Sequence, residues 1–330
     1  MRAQGSRFFF FVATLIACFG CAEVISLNAQ QNPGPPPAVT ARLIDPDAGM
    51  VTISKRVDEV NLLFTVTDPK GHFITNLSVS DLQVLDNRMP PESILQFQKE
   101  SDLPLRVGLV IDLSESITAR FKFEKKAAAT FLKKSLRPAT DQAFVVGFNE
   151  KIHLVSGFTN DNAALGQSIQ KMRAGGNTSL YDAIVYACAR MQEQPRDRMV
   201  RKVIILITDG EDTASKAILA DAQQAAARSE TSIFALSTNN LTRDEYPHGE
   251  AVLELLTRYA GGQILRARES DQLSRAFLQI EDALRSQYSL DYKPANFTPD
   301  GSYRTIELHT ANEKLHIQCR RGYYAPREVQ

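Results

Sequence analysis

Two nearly continuous apolar runs, "LRVGLVI" (105–111) and "KVIILIT" (202–208), constrain the fold of this chain more than any other feature. Runs of this length, rich in β-branched residues, are typical of strands that are buried on both faces. Helical patterns alternate with these and other apolar strands from residue 104 to residue 287. Because such alternation favours a parallel sheet covered by helices, we predict an α/β domain with a doubly wound, mainly parallel sheet over 104–287.

Segments with period-two alternation lie on both sides of this region, as expected for strands with one buried face. They are "VNLLFTVTD", "DLQVLDN" and "SILQFQKE" before it, and "YSLDYKP", "YRTIELHT" and "LHIQCRRGYY" after it. We predict that residues 40–103 and 288–326 together form one small β-sandwich domain, into which the α/β domain is inserted.

The first 39 residues have the pattern of an export signal followed by a linker. Arg2 and Arg7 precede an apolar run from Phe8 to Phe19, which is too short for a membrane-spanning helix. We predict a signal peptide over 1–29, a proline-rich linker over 30–39 and no transmembrane span in the mature chain. The chain would then be periplasmic, in the cell envelope or extracellular. Lipoprotein processing, with a lipid anchor at Cys18, is an alternative because "LIAC" resembles a lipobox.

Charge and cysteine content exclude some classes of protein. The 38 lysines and arginines balance 38 aspartates and glutamates, and a chain without a basic excess is not expected to bind nucleic acid. Two of the four cysteines lie in the signal segment, which leaves Cys188 and Cys319. Cys188 lies in an apolar helical pattern, so we expect a buried thiol rather than a disulfide. No Cys/His spacing indicates a zinc site.

Oxygen-bearing side chains follow the ends of the two apolar runs. Asp112, Ser114 and Ser116 follow the first run at alternate positions, and Asp209 follows the second. Thr178 lies in a glycine-rich loop, "AGGNTSLYDA" (174–183), where paired glycines would let the backbone approach closely. Because ligands bind beyond the carboxyl ends of parallel strands, we predict that these five residues meet. Carboxylates and hydroxyls suit magnesium (Mg²⁺), Mn²⁺ or Ca²⁺ and disfavour zinc.

Simpler interpretations of the same residues remain open. Ser114 and Ser116 also suit the N-cap of a helix that follows them. Asp182 is expected to make a structural or capping hydrogen bond. Glu211 and Asp212 are expected to cap a helix that begins near Thr213.

Hydroxyl ligands are neutral, so a cation held mainly by Ser114, Ser116 and Thr178 keeps uncompensated positive charge. An open coordination position would then attract a carboxylate from another molecule. We therefore expect an unidentified protein partner that offers an acidic side chain to the metal.

The pattern D-x-S-x-S at a strand end, a threonine in a glycine-rich loop and D-G after an apolar strand resembles the metal-ion-dependent adhesion site, or MIDAS, of von Willebrand factor type A (VWA) domains. By that resemblance Asp112, Ser114, Ser116, Thr178 and Asp209 are the metal-binding positions. Glu115 departs from the family pattern, in which a small residue separates the serines. Segments from about residue 50 to 326, including "VTDPKGHFITNLSVSDLQVLDN", also resemble the VWFA-related acidobacterial domain family of exported proteins.

The residues favour a binding function over catalysis. We expect a non-enzymatic, cation-dependent adhesion or scaffolding protein with no catalytic residues. A metal-dependent hydrolase with Asp112 as nucleophile is one alternative, although a haloacid-dehalogenase-type enzyme would carry aspartate rather than Ser114. No G-x-S-x-G or P-loop motif is present. The other alternative is an envelope protein whose metal is purely structural.

Overall fold

The α/β part of the chain is built on a six-stranded sheet. The computed structural model describes residues 58–99, 103–118, 120–193, 200–239, 248–267 and 270–327. The strands of this sheet are β4 (Leu105–Asp112), β5 (Gln142–Phe148), β6 (Ile152–Thr159), β7 (Arg201–Thr208), β8 (Ser232–Ser237) and β9 (Ile264–Arg266). Their order is β6-β5-β4-β7-β8-β9, and all neighbours are parallel except β6, which runs antiparallel to β5.

Among the residues that the structure describes, six helices cover the two faces of this sheet. They are α1 (Phe121–Ser135), α2 (Asn162–Lys171), α3 (Leu180–Gln192), α4 (Leu219–Ser229), α5 (His248–Ala260) and α6 (Ser270–Arg285). One apolar core joins the sheet to α1, α2 and α6, and a second joins it to α3, α4 and α5. Leu109 and Ile111 face the first core, whereas Val110 between them faces the second. Burial on both faces explains the continuous apolar run and confirms the predicted fold class.

The chain winds in two directions from β4. It passes from β4 to β5 on one side and later crosses to β7 on the other. A crevice therefore opens at the carboxyl ends of β4 and β7, which is where open α/β sheets bind ligands. Asp112 is the last residue of β4, and Asp209 directly follows β7.

Two small antiparallel sheets contain strands from both sides of the α/β region. The strands before it are β1 (Val60–Thr67), β2 (Leu82–Asp86) and β3 (Ser93–Lys99), and those after it are β10 (Tyr288–Lys293), β11 (Tyr303–Thr310), β12 (His316–Cys319) and β13 (Gly322–Tyr324). The sheet orders are β12-β1-β10-β3 and β13-β11-β2. Phe64, Val84, Leu290 and Ile306 lie in one core shared by both sheets.

The segment "LHIQCRRGYY", which the sequence presents as one strand, forms β12 and β13 in different sheets. Arg320 lies between the two strands and donates from Nη2 to the Asn61 carbonyl, at 2.7 Å. A buried link also joins the two sheets, because Tyr292 and Tyr323 both donate to Oδ2 of Asp86, each at 2.9 Å.

The described residues belong to one compact unit, which spans residues 52–330. The predicted signal peptide and linker, and residues 40–57 of the predicted sandwich, lie outside the described residues, so the domain limits stay predictions. Among the helices that the structure describes, none has both the length and the apolar character needed to span a membrane.

Candidate metal centre

Four of the five predicted metal-binding residues form a chain of close contacts at the carboxyl end of the sheet. Ser116 Oγ donates to Oδ2 of Asp209 at 2.7 Å. The hydroxyls of Ser114 and Ser116 lie 3.0 Å apart. Oδ1 of Asp112 accepts the N–H of Ser114 at 2.8 Å, which fixes the start of the serine loop. Ser114 is buried and Ser116 is exposed, so the group opens to solvent on the Ser116 side.

Asp112 is fully buried and organises the strand ends around it. Its Oδ2 accepts the hydroxyl of Thr208 at 2.7 Å, and that hydroxyl in turn accepts the N–H of Gly210 at 3.0 Å. Burial raises the pKa of Asp112 to about 6, and the negative charge of Asp209 adds to this, although hydrogen bonds from Ser114 and Thr208 oppose it. A nearby cation would favour the charged carboxylate and lower this pKa.

The glycine-rich loop is attached to the serine loop by backbone hydrogen bonds. Gly175 N–H donates to the Leu113 carbonyl at 2.6 Å, and Glu115 N–H donates to the Gly176 carbonyl at 3.1 Å. Gly176 has φ +99°, and a Cβ there would collide with Oε2 of Glu150. Glycine is therefore required at 176 both by backbone conformation and by space.

Thr178 belongs to the same group of loops through its backbone. Its N–H donates to the Thr213 hydroxyl at 3.0 Å, and its carbonyl accepts from the N–H groups of Thr213 and Ala214, both at 2.9 Å. Thr178 is 6% exposed. The loop that carries it is thus joined to the loop that begins with Asp209, and the five predicted residues lie on three adjoining loops.

The caps in this region differ from those expected. Helix α4 begins at Leu219 rather than near Thr213. Asp212 instead accepts the N–H of Leu180 at 2.8 Å, which caps α3, a helix that starts 32 residues earlier. Glu211 accepts the N–H of Gly249 at 2.8 Å, at the start of α5. The prediction for Glu211 and Asp212 was wrong because both side chains cap helices that are distant in sequence.

Asp182 has the structural role that was predicted for it. Its carboxylate accepts the N–H groups of Lys216 at 3.0 Å and Ala217 at 2.8 Å, while its own N–H donates to Ser215 Oγ at 3.1 Å. These three hydrogen bonds hold the loop after Asp209 against the first turn of α3.

Glu115 points away from the protein interior, since its side chain is exposed. The hydrogen bond from Glu115 N–H to the Gly176 carbonyl involves only backbone atoms, so it does not require a small side chain at position 115. The residue that departs from the resemblance is therefore accommodated at the rim.

Several residues that support the site carry no obvious signal in the sequence. Asn239 Nδ2 donates to the Asp209 carbonyl at 2.6 Å, and Asn149 Nδ2 donates to the Gly175 carbonyl at 2.8 Å. A Cβ on Gly249 would collide with the Asp209 carbonyl oxygen, so α5 packs directly against this strand end. Only Thr208, which precedes the D-G pair, could have been found from its position in the sequence.

The oxygen atoms present fit a small divalent cation. Cis ligands of an octahedral ion with metal–oxygen distances of about 2.1 Å lie about 3 Å apart. The separations of 3.0 Å between Ser114 and Ser116 and 2.7 Å between Ser116 and Asp209 match that spacing. Within the described ranges, no group of three or more His, Cys, Asp and Glu side chains has metal-binding geometry. A cation at these loops would accordingly use hydroxyl oxygens and water together with carboxylates.

Comparisons with known proteins concern the same part of the chain. Residues 107–211 match the family model of the von Willebrand factor type A domain, and that range includes all five predicted metal-binding residues. No curated protein sequence matches the chain.

Similar solved structures include the PilB minor pilin from Streptococcus sanguinis, at 14% identity and TM-score 0.47, over 60% of this chain and 63% of the pilin. An aerotolerance-related membrane protein from Bacteroides fragilis is 17% identical with TM-score 0.44, over 54% of this chain and 98% of that chain. Proximal thread matrix protein 1 from the mussel byssus, with a zinc-occupied MIDAS motif, is 18% identical with TM-score 0.48, over 61% of this chain and 50% of that chain. This chain therefore spans less than two thirds of the pilin and of the byssus protein.

Proposed function

We propose that the protein is a non-enzymatic binding module that holds a partner through a divalent cation, because residues 107–211 match the family model of the von Willebrand factor type A domain. In this proposal Asp112, Ser114, Ser116, Thr178 and Asp209 hold the cation, either directly or through water. The cation is Mg²⁺, with Mn²⁺ or Ca²⁺ as substitutes that the same oxygen ligands accept.

The observation that carries the proposal is the contact between the ends of β4 and β7. Ser116 Oγ lies 3.0 Å from Ser114 Oγ and 2.7 Å from Oδ2 of Asp209, and each separation is close to that of two cis ligands on a magnesium-sized ion. A helix cap alone does not account for this, since neither Ser114 nor the residue before α1 makes a side-chain capping hydrogen bond.

The chemistry of the partner follows from the neutral ligands. Hydroxyls leave much of the charge of a divalent cation uncompensated, and Ser116 lies at the solvent-exposed side of the group. A carboxylate from a partner protein would supply the missing charge at an open position. The export-signal pattern of the first 29 residues supports a partner outside the cytoplasm, in the cell envelope or beyond it.

Direct cation binding is the first test. Titration calorimetry with MgCl₂ should show binding to the wild-type protein and none to Asp112→Ala or Ser116→Ala. Thr130→Ala, an exposed hydroxyl on α1, is the matched control and should bind as the wild type does. Binding that survives both site substitutions would place the cation elsewhere.

Partner capture is the second test. A cross-linking pull-down from envelope extract should recover a protein with Mg²⁺ and lose it with EDTA or with Ser116→Ala. If Mg²⁺ raises the melting temperature while EDTA removes no partner, the metal is structural and the adhesion proposal fails.

Catalysis is the remaining alternative. Both carboxylate oxygens of Asp112 accept hydrogen bonds and the residue is fully buried, which disfavours its use as a nucleophile. Generic phosphatase and esterase substrates with Mg²⁺ should show no turnover. Turnover that Asp112→Ala abolishes would overturn the binding-only proposal.

A further inference from the structure

One carboxylate lies where α1 should present an apolar side chain to the core. Glu124 is in the first turn of α1, on the buried stripe that also contains Phe121, Ala128 and Phe131. It is only 2% exposed. Side chains on this stripe face the sheet, and α1 begins five residues after Ser116, so Glu124 lies in the first turn of the helix that follows the serine loop.

Neither carboxylate oxygen of Glu124 has a hydrogen-bond partner within the part of the chain that the structure describes. Burying an ionised carboxylate without donors is strongly unfavourable, and even an unpaired neutral polar group destabilises the folded state. Unsatisfied buried groups in native proteins are commonly explained by function or by a bound ion. Packing of α1 gives no reason for a glutamate here, because an apolar residue would fill the same stripe.

The charged groups that shift the pKa of Glu124 are Arg120 and the two aspartates of the candidate metal centre. Burial raises the pKa of Glu124 to about 8, Arg120 opposes this, and the negative charges of Asp112 and Asp209 add to the rise. Glu124 therefore interacts electrostatically with the strand-end aspartates of β4 and β7, and with the guanidinium one helical turn before it.

Glu124 adds a third negative charge to those of Asp112 and Asp209, and Arg120 offsets part of that total. Hydroxyl ligands are neutral, so a further carboxylate near the site reduces the charge that a divalent cation leaves uncompensated. An open coordination position on the exposed Ser116 side still accepts a carboxylate from a partner. The same cation would favour the ionised form of Glu124, which is otherwise penalised by burial.

We propose that Glu124 is a further acidic group of the metal centre, which compensates the charge of the bound cation from the α1 side and strengthens its binding. This inference rests on the proposed function, since it requires that a cation binds at Asp112 and Asp209. Glu124 acts here through its charge and is not assigned a place among the metal ligands.

Calorimetric titration with MgCl₂ at pH 7 tests the inference. Glu124→Gln keeps the shape and removes the charge, and it should weaken Mg²⁺ binding by about tenfold or more. Glu281→Gln, on α6, is the matched control and should leave the affinity unchanged. Unchanged affinity in Glu124→Gln would overturn the role of Glu124 while leaving the metal site intact. Absence of Mg²⁺ binding by the wild-type protein would instead overturn the proposed function.

Proton release provides a second measurement that needs no variant. Titrations in buffers with different ionisation enthalpies should show that the wild-type protein releases close to one proton per Mg²⁺ at pH 7, because Glu124 ionises as the cation binds. Glu124→Gln should release much less. Mg²⁺ binding without proton release by the wild-type protein would contradict the inference even if Glu124→Gln failed to fold.

Discussion

Ser116 Oγ donates a 2.7 Å hydrogen bond to Oδ2 of Asp209, a residue 93 positions later in the chain. The contact joins the loop after β4 to the end of β7, the two strands between which the sheet reverses its direction of winding. Two residues that are far apart in sequence therefore meet because parallel strands end at one edge. A cation that binds here would compete with this hydrogen bond, because Ser116 and Asp209 would hold it directly or through water.

Asp112→Asn should abolish the stabilisation that Mg²⁺ gives to the fold. A ligand at 100 times its dissociation constant stabilises a protein by about 2.7 kcal/mol, and that gain disappears when the site is lost. The variant should also be less stable in EDTA, because its amide nitrogen must face either Ser114 N–H or the Thr208 hydroxyl, both of which donate to Asp112. Thermal unfolding in MgCl₂ and in EDTA measures both effects.

Asp161→Asn is the control for this experiment. Asp161 caps α2 by accepting the N–H groups of Ala163 and Ala164, and asparagine caps a helix equally well. This variant should keep the full response to Mg²⁺. A response that Asp112→Asn retains would show that the stabilising cation binds at another place.

Gly176→Ala should destabilise the loop that carries Thr178. The alanine would hold a φ near +99°, and its Cβ would displace the Glu150 carboxylate that accepts the N–H of Asn177 at 3.2 Å. Strain of this kind costs about 1–3 kcal/mol. Urea unfolding should show the loss, and weaker Mg²⁺ binding should accompany it because the Glu115–Gly176 contact shifts.

Gly166→Ala should change the stability in the opposite direction, and it is the control for Gly176→Ala. Gly166 is inside α2, and the nearest atom to an added Cβ is 3.9 Å away. Alanine there should stabilise the protein by about 0.5–1 kcal/mol. If both substitutions had the same sign, the positive φ of Gly176 would not be the constraint that the structure indicates.

Neither Cys188 nor Cys319 should react readily in the native protein. Both thiols are free; Cys188 is buried, which confirms the expectation for it, and Cys319 is half-buried. Desolvation raises their pKa values to about 12 and about 11. The thiolate is the reactive form, so both should resist labelling at pH 8. Ellman's reagent should detect these two thiols only after denaturation. Rapid labelling of one of them in the folded state would contradict this.

The fold and most of the candidate centre could be predicted because their signals are local. The buried strands show as apolar runs, and Asp112, Ser114 and Ser116 occur within five residues. Parallel topology then places Asp209 beside them. The cap that Asp212 supplies to α3 depends on contacts between distant loops, which no spacing in the sequence shows.

The inward position of Glu124 could not be predicted from the sequence, because the apolar pattern of α1 indicates a different buried face. The sequence favours an apolar stripe through Phe123, Ala127 and Phe131, whereas Phe123 is 54% exposed. Successive helical residues are about 100° apart, so a shift of one position turns a different side chain inward. The true stripe contains Glu124, and an acidic residue hides an inward-facing position from any count of apolar periodicity.

The stability of the cation-free protein should fall as the pH rises through the range in which Glu124 ionises. The pKa of Glu124 is about 8 in the folded state, against 4.5 as its ordinary value. Between these values the folded state binds more protons than the unfolded state, so the free energy of unfolding decreases with increasing pH. The slope can reach about 1.4 kcal/mol per pH unit. Urea unfolding in EDTA between pH 7 and 8, above the pKa of about 6 of Asp112, limits the contribution of Asp112 to the slope. Glu124→Gln should flatten this slope, whereas Glu281→Gln should keep it. Parallel curves for the wild-type protein and Glu124→Gln would show that Glu124 does not hold a proton in the folded state at neutral pH.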